Sequence, residues 1–341
     1  MEIYPLVIFF LFLIVIFLHR TFIKEKILLS YTGNHHQKFT TKTAVPITGG
    51  ILILILILFG QLNLNIIFFL FLAFIFLLGI LSDLNILISP LKRFFFQFVI
   101  FFIFIFISDI YLPSLKISIL DFFFQEKIIN YFFLTICFMI LLNGSNFIDG
   151  CNTLVLGFYL IIFVILYRLG LISFLVQDLI FFYFFILFLF FVFILNLFQK
   201  IFLGESGVYT IAFLVGYILV KIALDNQKIS PYFIANLLWY PSFEVLFSIV
   251  RKIISKTSPL QPDTLHLHHL IFFFLHKKAK IRFANSGTGL LINIYNLLIL
   301  FYASENIFDT KFQCLLILCN TFIYFLIYFF LYKVKNSPKV K

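Results

Sequence analysis

The chain is short of charge. Asp, Glu, Lys and Arg make up 11% of its 341 residues, where a soluble domain carries roughly 25%. Acidic residues are the scarcer sign, 14 against 25 basic ones, for a net charge of +11. Hydrophobic residues reach 63%, more than the interior of a water-soluble fold can hide. That excludes a soluble domain and makes lipid the solvent for most side chains. Cysteine is also sparse. Cys137, Cys151, Cys314 and Cys319 show no metal-type spacing, and three of them, Cys137, Cys314 and Cys319, sit in apolar runs where they read as small packing groups. A cleavable leader has no support either. The run Ile3 to Leu18 has no basic segment before it and no small-residue cleavage site, so it reads as a retained helix. No repeat or inverted symmetry is visible, which argues against a transporter.

What the chain has instead is long apolar runs. A helix needs about 20 residues to cross the hydrocarbon, and open strands would leave backbone amides unpaired in lipid. The expected fold is therefore all-α, a polytopic membrane protein with about eleven spans. Their approximate ranges are 3–19, 46–61, 64–82, 94–109, 128–145, 153–168, 178–196, 208–224, 232–250, 286–302 and 312–332. Alternate loops hold nineteen Lys and Arg on one side and six on the other. Basic loops stay in the cytoplasm, so the N-terminus is expected outside and the C-terminus inside. The 55 Phe, with abundant Ile, Leu, Asn and Lys, read as codon bias and carry no mechanistic weight. The positive charge suits anionic lipid headgroups or phosphorylated substrates; no nucleic-acid partner is expected.

Five polar stretches fall on the expected cytoplasmic side: 20–50, 79–97, 143–153, 199–208 and 251–285. That coincidence points to one shared site. Asp83, in Gly79-Ile80-Leu81-Ser82-Asp83, reads either as a helix-end anchor or as a metal or phosphate-site acid. Ser89-Pro90-Leu91-Lys92-Arg93 follows, then Gln97 inside the next run. Asn143, Asn146, Asp149 and Asn152 crowd one span terminus. Burying them is costly unless they are paired, so they should line a polar cavity. Their amides and carboxylate suit a nucleotide and an oxygen-coordinated Mg²⁺. Phe202-Leu203-Gly204-Glu205-Ser206-Gly207 is either a plain turn or a small-residue loop that lets backbone amides approach a phosphate. His266, His268 and His269 fill three of four consecutive positions. Zinc binding and hydrogen bonding to a diphosphate both remain open, although no Cys or paired carboxylate stands nearby at zinc spacing. The pair His35-His36 is not placed in the site.

Together these segments resemble the polyprenyl-phosphate N-acetylhexosamine-1-phosphate transferase family, in order over about residues 38–270. Val45-Pro46-Ile47-Thr48-Gly49-Gly50 is similar to its Pro-x-x-Gly-Gly, and Gly79 to Asp83 to its Gly-x-x-Asp-Asp. Asn143 to Gly150 is similar to Asn-x-x-Asn-x-x-Asp-Gly, and Phe202 to Gly207 to Phe-[LM]-Gly-Asp-x-Gly. Pro262-Asp263-Thr264-Leu265-His266-Leu267-His268-His269 is similar to the GlcNAc-type Pro-Asp-x-x-His-[LI]-His-His. Ser82 stands where the family has its first Asp, and Glu205 where the glycine loop has Asp.

The resemblance implies a single membrane transferase domain over 1–341, with a long cytoplasmic histidine loop at 251–285 and a basic tail at 333–341. It implies an Mg²⁺-dependent enzyme of the plasma (inner) membrane, with Mn²⁺ as the alternative ion and its active site facing the cytoplasm. Its substrates would be a UDP-N-acetylhexosamine and undecaprenyl phosphate, and a homodimer is the oligomer considered. It assigns Asp83, Asp149 and Glu205 to the metal, and Asp83, Asp149, His266, His268 and His269 to catalysis. Asn143, Asn146, Lys92 and Arg93 are assigned to substrate binding. Ser82 and Glu205 keep a catalytically inactive relative in view as the rival reading.

Overall fold

A computed structural model describes residues 17, 20–25, 28–30, 45–60, 62–176, 178–259, 264–279, 281 and 283–336. The expected run 3–19 lies outside these residues, apart from position 17. So do His35-His36, Pro262-Asp263 and the tail beyond 336. The described chain is helical apart from a two-residue antiparallel pair, β1 (Leu29–Ser30) on β2 (Val45–Pro46).

The helices are α1 (Gly49–Phe59), α2 (Ile66–Asp83), α3 (Pro90–Ser108), α4 (Ser118–Phe124), α5 (Lys127–Ile148) and α6 (Leu154–Arg168). After these come α7 (Leu179–Leu197), α8 (Gly204–Asp225), α9 (Pro231–Leu237), α10 (Trp239–Ile254), α11 (Leu267–Phe273), α12 (Ala284–Ala303) and α13 (Thr310–Asn336). Short polar residues start several of them. Asn65 accepts the Phe68 N–H at α2, Asp178 accepts the Ile180 N–H at α7, and Ser230 accepts the Tyr232 N–H at α9. Pro90 and Pro231 stand in the first turns of α3 and α9, where the missing N–H costs no hydrogen bond.

Each apolar run from 46–61 onward contains a helix, yet fewer than eleven have the length of a span. Seven described helices are long and apolar enough to cross a membrane, or eight if α9 and α10 form one span bent by 78°. Among the described residues, then, seven to eight candidate spans stand, and the expected eleven are not all shown. Two runs yield helices shorter than a span. Helix α1 has 11 residues, and Val45 and Pro46 before it pair with β1. Helix α6 has 15 residues and fills nearly all of its run, which is itself short.

Helix α8 is the axis of the bundle. In its apolar window 89% of residues are buried, against 22% for α3 and 33% for α2. Helices α1, α2 and α5 pack against it. The phenylalanines have a packing role here. Phe68 stacks on Phe213 at 4.9 Å between centroids with planes 4° apart. Phe104 meets the same ring edge-on at 4.9 Å, and Phe101 and Phe138 close around it. In lipid, helices associate by close packing, because the tails are as apolar as the side chains. Truncating Phe213 to Ala should therefore cost about 3 kcal/mol, the low end for a buried Phe. The check is the unfolding midpoint of purified protein in detergent; an unchanged midpoint would show that α8 is not the axis.

Candidate active site at one end of the bundle

The first N–H groups of a helix have no acceptor within it. Helix α8 begins deep in the bundle, and its preceding residue Leu203 offers no side-chain cap. The acceptors come from α2. Asp83 Oδ1 accepts the Glu205 N–H at 2.8 Å, and Asp83 Oδ2 accepts the Ser206 N–H at 3.0 Å and the Ser206 hydroxyl at 2.6 Å. A carboxylate at this position also meets the positive end of the α8 dipole. Gly204 makes the approach feasible. Its φ is +73°, and a Cβ would fall 2.3 Å from Ile47 Cγ2 and 2.8 Å from Asp83 Oδ2. The Val45 to Gly50 stretch closes the other flank, where Phe202 N–H donates to Pro46 O and Gly49 N–H donates to Phe202 O, both at 3.0 Å.

Helix α3 adds the cation. Arg93 Nη1 donates to Ser82 Oγ at 2.8 Å and to Glu205 Oε1. Glu205 Oε2 accepts the Tyr209 hydroxyl at 2.7 Å. The two departures noted in the sequence, Ser82 and Glu205, thus meet on one guanidinium nitrogen. The extra methylene of Glu205 carries its carboxylate to Arg93, beside the position where Ser82 has no charge to offer. Arg93 is consequently half-buried in an ion pair, while Lys92 is exposed and makes no ion pair among the described residues.

The second half of the site is built by the turn after α5 and by the histidines. His266 precedes α11, and His268 and His269 lie in its first turn. The His268 and His269 rings are 4.3 Å apart and nearly perpendicular. His266 lies parallel to His268 at 5.5 Å, with Phe147 against its other side at 5.3 Å. Gly150 measures how close the Asp149 turn comes: a Cβ there would stand 2.7 Å from His268 Nε2 and 2.8 Å from His269 Nε2. His268 is fully buried, and neither of its ring nitrogens has a hydrogen-bond partner among the described residues. Burial, then His269 and His266, hold its pKa well below the ordinary histidine value.

Asp149 is half-buried and makes no hydrogen bond among the described residues. Burial pushes its carboxyl well above the usual range, and the charges of Asp83 and Glu205 add to the rise. The three carboxylates therefore lie within electrostatic reach of one another. They do not form a tight cage: among the described residues no three His, Cys, Asp or Glu gather closely enough to ligate one ion. Their chemistry nevertheless fits Mg²⁺, which takes hard oxygens and is usually held by one or two carboxylates plus substrate phosphates. Asp149 is the member whose oxygens are uncommitted.

Asn143 turns into the bundle, donating to Gln97 Oε1 and to Met139 O, both at 2.8 Å. Asn146 is half-buried and makes no hydrogen bond among the described residues. Sequence reasoning missed the amides that staple the turn after Asp149. Asn285 accepts the Asn152 N–H at 2.7 Å, Asn196 accepts the Thr153 N–H at 2.6 Å, and Asn293 donates to Thr153 O at 2.8 Å. It also missed Glu244, fully buried in α10. Its Oε2 lies 3.1 Å from His266 Nδ1, and its Oε1 accepts the Leu267 N–H at 3.0 Å. The signal was present: a single carboxylate inside an apolar run is a functional residue by default.

These features define a class: a multi-pass helical membrane protein whose carboxylates, amides and imidazoles converge at one end of the bundle. Residues 65–223 match the family described as Glycosyl transferase family 4, in keeping with the motifs. A 71-residue stretch is 34% identical to the undecaprenyl-phosphate alpha-N-acetylglucosaminyl 1-phosphate transferase of Thermotoga maritima. It covers 21% of this chain and 23% of that relative. Val45 to Gly50 and the three histidines lie outside the family match, yet the fold packs them onto it.

Gly150→Ala should drive a methyl group into His268 and His269. Overpacking of this kind costs about 1–3 kcal/mol. The unfolding midpoint should fall below that of Gly287→Ala, whose Cβ meets nothing within 4 Å. Equal midpoints would show that the Asp149 turn does not rest on the histidines.

Proposed function

We propose that the chain transfers N-acetylhexosamine-1-phosphate, GlcNAc-1-phosphate in the first instance, from a UDP-sugar to undecaprenyl phosphate. The products are undecaprenyl-diphosphate-sugar and UMP, and the step would initiate a cell-surface glycan. The observation that carries this reading is the meeting of Asp83, Asp149, Glu205 and the three histidines from distant parts of the chain.

In the reaction an oxygen of the lipid phosphate attacks the β-phosphorus of the nucleotide diphosphate. The bond from that phosphorus to the bridging oxygen breaks, and UMP leaves with the electron pair. A phosphate monoester has its second pKa at about 6, so the nucleophile is largely ionised at neutral pH without a protein base. Ser82 therefore needs no proton-accepting role. The protein's task is to position two anions in line and offset their charge.

Mg²⁺, with Mn²⁺ as the alternative, would be held by Asp149 with Asp83 and Glu205 behind it, and supplies charge neutralisation on the diphosphate oxygens. His266, His268 and His269 donate to the diphosphate. Asn146 faces the nucleotide, and Asn143 braces the end of α5 through Gln97. Lys92, exposed at the start of α3, meets the lipid phosphate, while Arg93 holds Glu205 in place. The Lys and Arg near this end, Lys92, Arg251 and Lys252 among them, support a cytoplasmic face at the plasma (inner) membrane.

A second reading, an inactive relative that binds polyprenyl phosphate or scaffolds glycan assembly, is favoured by one observation. Both oxygens of Glu205 already have protein partners. UMP release from UDP-GlcNAc, undecaprenyl phosphate and Mg²⁺ separates the two. Asp149→Ala should abolish that release, and near-wild-type turnover would refute its role. Ser82→Asp should leave turnover unchanged; a tenfold or greater rise, about 1.4 kcal/mol in the barrier, would show that a base at this position matters.

A further inference from the structure

A fully buried carboxylate is expensive unless both its oxygens are satisfied. Glu244 satisfies one with His266 Nδ1 at 3.1 Å and the other with the Leu267 N–H at 3.0 Å. These contacts are adjacent in sequence and serve different ends. The first fixes the His266 ring. A carboxylate is acceptor-only, so Nδ1 must carry a proton, which for the neutral ring selects the Nδ1–H tautomer. The second fixes the backbone where α11 starts, and α11 carries His268 and His269. Glu244 is itself held from behind. It sits on α10 between Tyr240 and Ser248, and all three are buried. Phe243 and Phe247 of the same helix pack edge-on against Tyr324 of α13.

We infer that Glu244 is a positioning residue for the whole histidine cluster, setting the His266 tautomer with one oxygen and the register of α11 with the other. It touches no substrate and acts through the imidazoles that abut Gly150. Its effect on turnover rests on the transferase reading above; its effect on the histidines does not. Carboxylates that orient a functional histidine are typically worth about 10–100-fold when removed. Glu244→Gln keeps the size but leaves one acceptor, which can serve His266 Nδ1 or the Leu267 N–H but not both.

The experiment uses full-length protein in lipid nanodiscs, labelled with ¹⁵N at histidine. His266→Gln identifies the His266 resonances by subtraction. Wild type should show His266 protonated at Nδ1, and Glu244→Leu, which offers no acceptor, should lose that signature while its unfolding midpoint shows that the fold persists. In the UMP assay, Glu244→Gln should lower kcat by about 10–100-fold. The double variant Glu244→Gln/His266→Gln should lose more than His266→Gln alone, through α11, but less than the product of the two single losses. An unchanged His266 signature in Glu244→Leu, or losses that multiply fully in the double variant, overturns the inference. No UMP release from wild type overturns the transferase reading instead, and the ¹⁵N signature still decides the role of Glu244.

Discussion

The two oxygens of Asp83 hold the first turn of α8. Without an acceptor there, a helix buried over 89% of its apolar window would begin with unpaired N–H groups packed against α2. The cap joins the end of α2 to the start of α8 and brings Glu205 up against Arg93 on α3. Three helix ends are thereby fixed relative to one another before any substrate arrives. The negative charge that caps the helix is also one of the charges that raise the Asp149 carboxyl, so a structural requirement and an ion-attracting field share one side chain.

The two substitutions in the family pattern become a single feature in three dimensions. A shorter, neutral Ser82 and a longer Glu205 share Arg93 Nη1. The guanidinium keeps a carboxylate partner, delivered from α8 instead of α2. Tyr209, one turn along α8, holds the other oxygen of Glu205. The ion pair is only partly buried, so its desolvation cost is moderate and the contact acts mainly by fixing direction.

The histidine half is organised the same way, by polar groups that serve the backbone and the site at once. Asn285 and Asn196 accept the Asn152 and Thr153 N–H groups after Asp149, and Asn293 adds a second donor to Thr153 O; Thr153 adopts a φ of +70° there. Glu244 does the corresponding work before α11. A turn and a short helix, neither stable alone, are thus held face to face with Gly150 between them.

Much of this was readable in one dimension. In lipid each backbone group must be satisfied within its own helix, so apolar runs announce helices directly, and those from 46–61 onward all contain one. The order and residue types of Gly79 to Asp83, Asn143 to Gly150 and Phe202 to Gly207 marked the site and the family, because helix-end polar residues have few other uses. Span length was less accessible. Strand pairing before Thr48 shortened α1, and the 78° break at Leu238 divided another run. The partners were not accessible at all. Arg93 reads as an interfacial anchor until it meets Glu205, 112 positions away. Glu244 is a single letter in an apolar run until the bend of α9 on α10 brings it to His266. Composition determines which residues must leave water, while only the packing of helices decides which charge each buried charge will face.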